Sequence, residues 1–185
     1  MAEIRKTYKF RLYPNLQAER ELTETLDTCR WLYNSALEER KLAYENWKEH
    51  GQYKGEPKPK PNVSQYSQSR QVTELKEDPK YPLLQKVKRA VLTEVLIKLD
   101  KAFTAFFSRV KQGQTPGYPR FKSKTRYDSF TYPDTGWSLH NNKLTLQHSK
   151  GYGRLVHCTR WLRLDHWLQW WLGLEWLVHS LAPER

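Results

Sequence analysis

The chain has 185 residues and carries 32 Lys+Arg against 20 Asp+Glu, a formal net charge of +12. That length bounds it at one domain or two small ones. Two cysteines, Cys29 and Cys158, supply neither a disulfide framework nor a four-ligand zinc site, so a reducing compartment, the cytoplasm, is expected.

The opening Met1-Ala2-Glu3-Ile4-Arg5-Lys6 is charged with no apolar region behind it, so no signal peptide is expected. No run of about 18 uncharged apolar residues follows, so no membrane helix is expected either. Excess positive charge favours nucleic acid or an anionic membrane as partner without specifying a fold. The charge is unevenly placed: residues 1–150 hold a net +11 and residues 151–185 a net +1. The last 35 residues contain no lysine, yet carry five of the eight tryptophans, so a different compositional regime begins near Gly151.

In chain order, Thr7 to Tyr13 alternates polar with large apolar side chains, the period of a half-buried strand, and Pro14 stops it. Leu22, Leu26, Cys29, Tyr33 and Leu37 then recur at three- and four-residue steps, which predicts a helix from about Leu16 to about Trp47. Gly51 to Pro61 combines glycine, proline and lysine and reads as a solvated loop. Ser64 to Lys76 predicts a shorter polar helix, broken by Asp78-Pro79-Lys80-Tyr81-Pro82. From Leu84 to about Lys111 the stripe Val87, Val91, Val95, Leu99, Phe103, Phe106, Phe107 and Val110 predicts the strongest helix, and its apolar face is expected to be core. Short strands are expected at Ser129–Tyr132 and Lys143–Gln147, with turns at Asp134-Thr135-Gly136 and Asn141-Asn142.

Arg120, Lys122, Lys124 and Arg126 alternate with neutral residues after a Gly/Pro turn. In an extended segment they would share one face and could follow a phosphate backbone. A solvated edge strand whose cations discourage aggregation is the competing reading. Lys9 and Arg11, interleaved with Tyr8 and Tyr13, place cations beside rings on which bases could stack, or are cations snorkelling from a core strand. Catalytic constellations are scarce: His157 and Cys158 are adjacent and diverge in a strand, the six histidines lack zinc-site spacing, and no glycine-rich phosphate loop is present.

Four motifs, in order, carry a resemblance: Tyr8-Lys9-Phe10-Arg11-Leu12-Tyr13-Pro14; Cys29-Arg30-Trp31-Leu32-Tyr33-Asn34-Ser35-Ala36-Leu37; Leu99-Asp100-Lys101-Ala102-Phe103 with Phe106-Phe107; and Gly117-Tyr118-Pro119-Arg120-Phe121-Lys122-Ser123-Lys124. Together with Asn142 to Leu146 they resemble the N-terminal part of the TnpB (OrfB) proteins of bacterial insertion sequences, over about 150 residues. The resemblance implies an RNA-guided DNA endonuclease, formerly described as a transposase. It implies an α+β fold in which wedge-type β-barrel strands are interrupted by an inserted α-helical recognition domain. The expected division is 1–14 first wedge strand, 15–115 helical recognition domain, 116–150 remaining wedge strands and 151–185 divergent tail.

Guide RNA and target DNA are the partners so implied, with no membrane and no small-molecule substrate. Matching by position puts contacts to the target-adjacent DNA motif at Tyr66, Ser69, Arg89 and Thr93, with Ser129 on the barrel. Magnesium and zinc belong to the C-terminal nuclease and zinc ribbon of the family, so none is expected in this chain, nor any catalytic residue. The tail from Leu155 to Arg185 matches nothing in the family. A reading-frame shift near Gly153 in a decaying element would account for its composition, and the tail is expected to pack poorly. Two other readings keep less of the resemblance: a stand-alone DNA-binding regulator without cleavage, and a membrane-surface protein held by Trp161 to Leu181.

Overall fold

The computed structural model describes residues 12–50, 61–133, 136–140 and 143–149, together with the backbone of 154–159 and 176–179. The predicted first strand, with Tyr8, Lys9 and Arg11, lies outside the described residues. So do the loop at 51–60 and the turn residues 134–135 and 141–142.

The first helix, α1, is Leu16–His50. Asn15 starts it: its side-chain oxygen accepts the amide N–H of Ala18 at 2.8 Å, satisfying one of the donors a helix start leaves free. The helix α2, Gln65–Glu77, begins with a reciprocal cap in which Ser64 and Ser67 bond each other's backbone N–H. Both helices fall where the sequence predicts them.

The third predicted helix is divided. A five-residue helix, α3 (Pro82–Lys86), precedes α4 (Arg89–Lys111), so the long helix begins at Arg89 and not at Leu84. Val87 and Lys88 between them are extended. The Val87 carbonyl is taken by the Lys76 ammonium and the Ser149 hydroxyl, two long-range donors that replace a helical bond at this point. The apolar periodicity runs unbroken through the division because Val87 is buried on either account.

Antiparallel strands follow: β1 (Ser129–Tyr132), β2 (Trp137–His140), β3 (Lys143–Gln147), β4 (Arg154–Thr159) and β5 (Trp176–His179). They form a three-stranded sheet in the order β2-β3-β4 and a two-stranded pair of β1 with β5, in which Ser129 faces His179. The strands β1 and β3 fall where alternation placed them, β2 is an addition, and β4 and β5 lie within the tail that follows Lys150. Gly136, just before β2, has φ 103°, a left-handed conformation that favours glycine, and the Lys88 side chain lies where a Cβ would be.

The core lies between α1, α2, α4 and the sheet. Leu22, Cys29 and Leu37 from α1 meet Val91, Val95, Leu99 and Phe103 from α4, and Phe130, Tyr132, Leu144 and Leu146 close it from the strands. Removing this apolar surface from water is the main term holding helices to sheet. Arg40 adds a polar link from α1 to α4 through Asp100 at 3.2 Å. The α4 stripe leaves the core after Phe103: Phe106 is half-buried and Phe107 and Val110 are exposed, so the stripe is core over its first four turns only. The fold class is α+β. Among the described residues no helix is long and apolar enough to cross a membrane.

Candidate nucleic-acid interface

The basic segment after α4 does not run straight. Residues 114–123 are irregular, and the amide groups of Arg126 and Tyr127 both donate to the Ser123 carbonyl, at 3.0 and 3.1 Å, closing a turn at 123–127. The cations Arg120, Lys122, Lys124 and Arg126 therefore sit on an irregular stretch and a turn rather than along an extended edge. Arg120, Lys124 and Arg126 are exposed and Lys122 is half-buried. The alternation that suggests a strand arises without one because Ser123 and Thr125 turn the chain, their hydroxyls 3.0 Å apart.

Asn34 of α1 holds this segment. Its amide donates to the Lys122 carbonyl at 2.9 Å and its side-chain oxygen accepts the Lys122 N–H at 2.8 Å. The loop is thus fixed in the manner of one strand rung, by a side chain in place of a second backbone. Lys98 of α4 holds the other end, donating to the Ser129 carbonyl at 3.2 Å, and its Nζ lies 6.0 Å from the Tyr127 ring centroid. Burial lowers the Lys98 pKa from its usual value. Lys122 adds to that shift, while Cys29, Asp128 and Glu94 oppose it. Beneath it the Cys29 thiol is pushed up to about 12 by burial, which makes it an inert core group and not a nucleophile.

A second set of polar groups sits on α2 and the start of α4. Gln68, fully buried, donates to the Ala36 carbonyl at 2.9 Å and the Glu39 carboxylate at 2.8 Å, and accepts from Arg40 Nε at 3.0 Å. At the other end of α2, Lys76 lies beside Arg89, and its pKa is lowered to about 8 by burial and by that guanidinium. Since Arg40 also pairs with Asp100 far along α4, α2 runs antiparallel to α4.

This antiparallel run separates the residues singled out on these helices. Tyr66 and Ser69 lie in the first turns of α2, whereas Arg89 lies beside its last turn, roughly 15 Å away at 1.5 Å per residue. Tyr66 is the most exposed large side chain here, at 81%. Thr93 sits one turn after Arg89 and donates its hydroxyl to the Arg89 carbonyl at 3.1 Å. Ser129 opens β1 and is half-buried, its carbonyl bound by Lys98. The structure thus yields two clusters, one around the turn at 123–127 and one spread along α2 and the start of α4. Tyr8, Lys9 and Arg11 fall outside the described residues.

Asn34, Gln68 and Lys98 have no sequence signal of their own. Nothing in the local pattern sets each of them apart from the other polar residues of its helix, and its partner lies 28 or more residues away. Among the described residues no group of three His, Cys, Asp or Glu side chains is placed to hold a metal ion.

Comparison with known proteins adds the family. A family model described as a helix-turn-helix domain of OrfB proteins matches residues 1–49. Within those residues the described part is one continuous helix preceded by residues 12–15, not two helices joined by a turn. A Streptomyces pristinaespiralis protein named "Putative RNA-guided DNA endonuclease" is 29% identical over 147 residues, 79% of this chain and 32% of its own length. A protein of Escherichia coli, "Putative RNA-guided DNA endonuclease InsQ", is 27% identical over 128 residues, 69% of this chain and 28% of its own. The chain spans about a third of the length of the curated relatives it matches. These matches support a likeness of this chain to the N-terminal part of TnpB/OrfB proteins.

Proposed function

We propose that this chain is a nucleic-acid-binding segment of a TnpB-like RNA-guided DNA endonuclease, acting in the cytoplasm. In this reading the fold is the wedge and recognition part of such a protein, with the strands as the wedge-type barrel and α1 to α4 as the inserted helical domain. The turn at 123–127, with Arg120, Lys122, Lys124 and Arg126, grips the backbone of a guide RNA together with Lys9 and Arg11. Tyr66, Ser69, Arg89 and Thr93 face target DNA along α2 and the start of α4. In this reading magnesium and zinc belong to a nuclease and zinc ribbon outside this segment, and the segment's own part is binding.

The observation that carries the proposal is the double anchoring of the basic turn by Asn34 and Lys98. A solvated edge whose only duty is to stay soluble needs no such fixing, whereas phosphate recognition needs cations held in place. The test is to express the chain with its native flanking sequence and to sequence the RNA that copurifies. Enrichment of a transcript from that flank, lost when Lys122 and Lys124 are both changed to Gln, is expected. Copurification of no RNA, together with no retention of RNA in a gel-shift assay, would overturn the reading.

A further inference from the structure

Where the C-terminal end of α4 meets α1 and the loop after α4, a cluster of rings is only partly core. Phe103 is the buried member, with the Arg40 guanidinium 5.1 Å from its ring centroid. Outward from it, Tyr118 packs edge-on against Phe103 at 5.5 Å and against Phe106 at 5.4 Å, and Phe106 packs edge-on against Phe107 at 5.2 Å. These contacts fix the outer rings without covering them: Phe107 is 54% exposed and Tyr118 37%. Tyr44 and Phe121 are exposed to similar degrees. The pKa of the Tyr118 hydroxyl is raised above its usual value first by burial, then by the Glu45 carboxylate, with Arg40 opposing and Tyr44 adding a little. Phe121 lies 5.9 Å from the Lys41 ammonium, one turn from Tyr44 on α1. A single exposed ring is ordinary, but a contiguous set held by its own edge contacts marks a docking surface.

The surrounding charges select the occupant. The Lys41 ammonium lies over Phe121, Arg120 precedes it in the chain, and Arg109 and Lys111 are exposed in the last turn of α4 just beyond Phe107. Among the described residues the one carboxylate that acts on the Tyr118 hydroxyl is the exposed Glu45, so the cations outnumber it. An apolar protein partner would have to strip water from these cations without replacing it. A polyanion with flat aromatic groups satisfies both kinds of surface at once.

We propose that Phe107 and Tyr118, flanked by Tyr44 and Phe121, form a stacking platform for the unpaired bases of an RNA strand whose phosphates lie against Lys41 and Arg120. This rests on the nucleic-acid reading above and extends the basic segment 120–127, with which it shares Arg120, onto a face of rings separate from α2. Edge-packing of the inner rings keeps the outer faces in a fixed orientation, so little ordering cost attends binding.

The test uses the purified full chain and three short labelled strands of equal phosphate number: a mixed-sequence RNA, an abasic strand and the corresponding single-stranded DNA. Losing one stacked base weakens binding by roughly tenfold or more. The abasic strand is therefore expected to bind at least that much more weakly than the RNA. Phe107→Leu keeps an apolar side chain at an exposed site and so folds, but it loses the stacking face. It is expected to weaken RNA binding by roughly tenfold, with abasic binding and the salt dependence unchanged. Equal binding of RNA and abasic strand, or a Phe107→Leu variant that binds RNA as the parent does, overturns the platform while leaving the nucleic-acid reading in place. Tighter binding of the DNA strand overturns RNA as occupant, and no binding of any strand overturns both.

Discussion

Asn34 and Lys122, 88 positions apart, exchange two hydrogen bonds of 2.9 and 2.8 Å between one side-chain amide and the backbone C=O and N–H of one residue. The contact joins the middle of α1 to the basic loop and sets where its cations stand relative to the helices. Asn34→Ala removes both bonds and leaves a partly buried donor and acceptor to find water. A loss of about 1–3 kcal/mol is expected, with faster tryptic cutting after Lys122 and Lys124 in the native protein. An unchanged urea midpoint together with unchanged cutting would show that the loop is held elsewhere.

Phe103 links the helical core to the aromatic cluster, packed beneath Arg40 and edge-on to Tyr118. Replacing it with Ala opens a cavity under two groups that cannot collapse into it without losing their own contacts. The expected destabilisation is roughly 3–5 kcal/mol, measured by urea unfolding. A loss below about 1 kcal/mol, with cooperative unfolding in the parent, would mean that α1 and α4 do not depend on this ring.

The periodic apolar residues located α1 and most of α4, because a helix that packs on one side must repeat every three or four positions, while α2 reads as a short polar helix. The same logic missed the division at Val87 and Lys88. A buried valine keeps the apolar rhythm whether or not its carbonyl stays in the helix, and what removes that carbonyl is Lys76 and Ser149, from α2 and the end of β3. The site was legible only as composition. Arg120 to Arg126 stand out as cations, but their turn depends on Ser123 accepting two local amides, and their placement depends on Asn34 and Lys98. Such side-chain bonds obey no period, so the sequence shows the charges and conceals their geometry.

The cations of the loop make the next prediction. If about six phosphates are contacted, log affinity for single-stranded RNA should fall with log salt at a slope of roughly −4, at about −0.7 per phosphate. Changing Lys122 and Lys124 to Gln should flatten that slope by about 1.4 on the same scale. Lys122 keeps its bonds to Asn34 in the variant because these use its backbone, so folding is spared. A slope identical to that of the parent would assign the two lysines to solvation alone.

His148, just after β3, is buried, and its Nε2 stands 3.8 Å from a Glu21 carboxylate oxygen, too far for a hydrogen bond. Burial lowers its pKa from the usual 6.5, the Lys86 ammonium lowers it further, and Glu21 and Glu24 act the other way. The folded protein therefore takes up this proton at a lower pH than the unfolded chain does. Above pH 6.5 both states are neutral at this ring and it contributes no pH dependence. As pH falls through 6.5 toward the folded-state value, the unfolded chain binds the extra proton and stability drops. Urea midpoints of the parent and of His148→Leu, compared between pH 7.5 and pH 5, isolate this group from the other histidines. The parent is expected to lose stability relative to the variant across that range. A difference that stays flat, or that moves in the parent's favour as pH falls, would mean that Glu21 closes on the protonated ring and outweighs its burial.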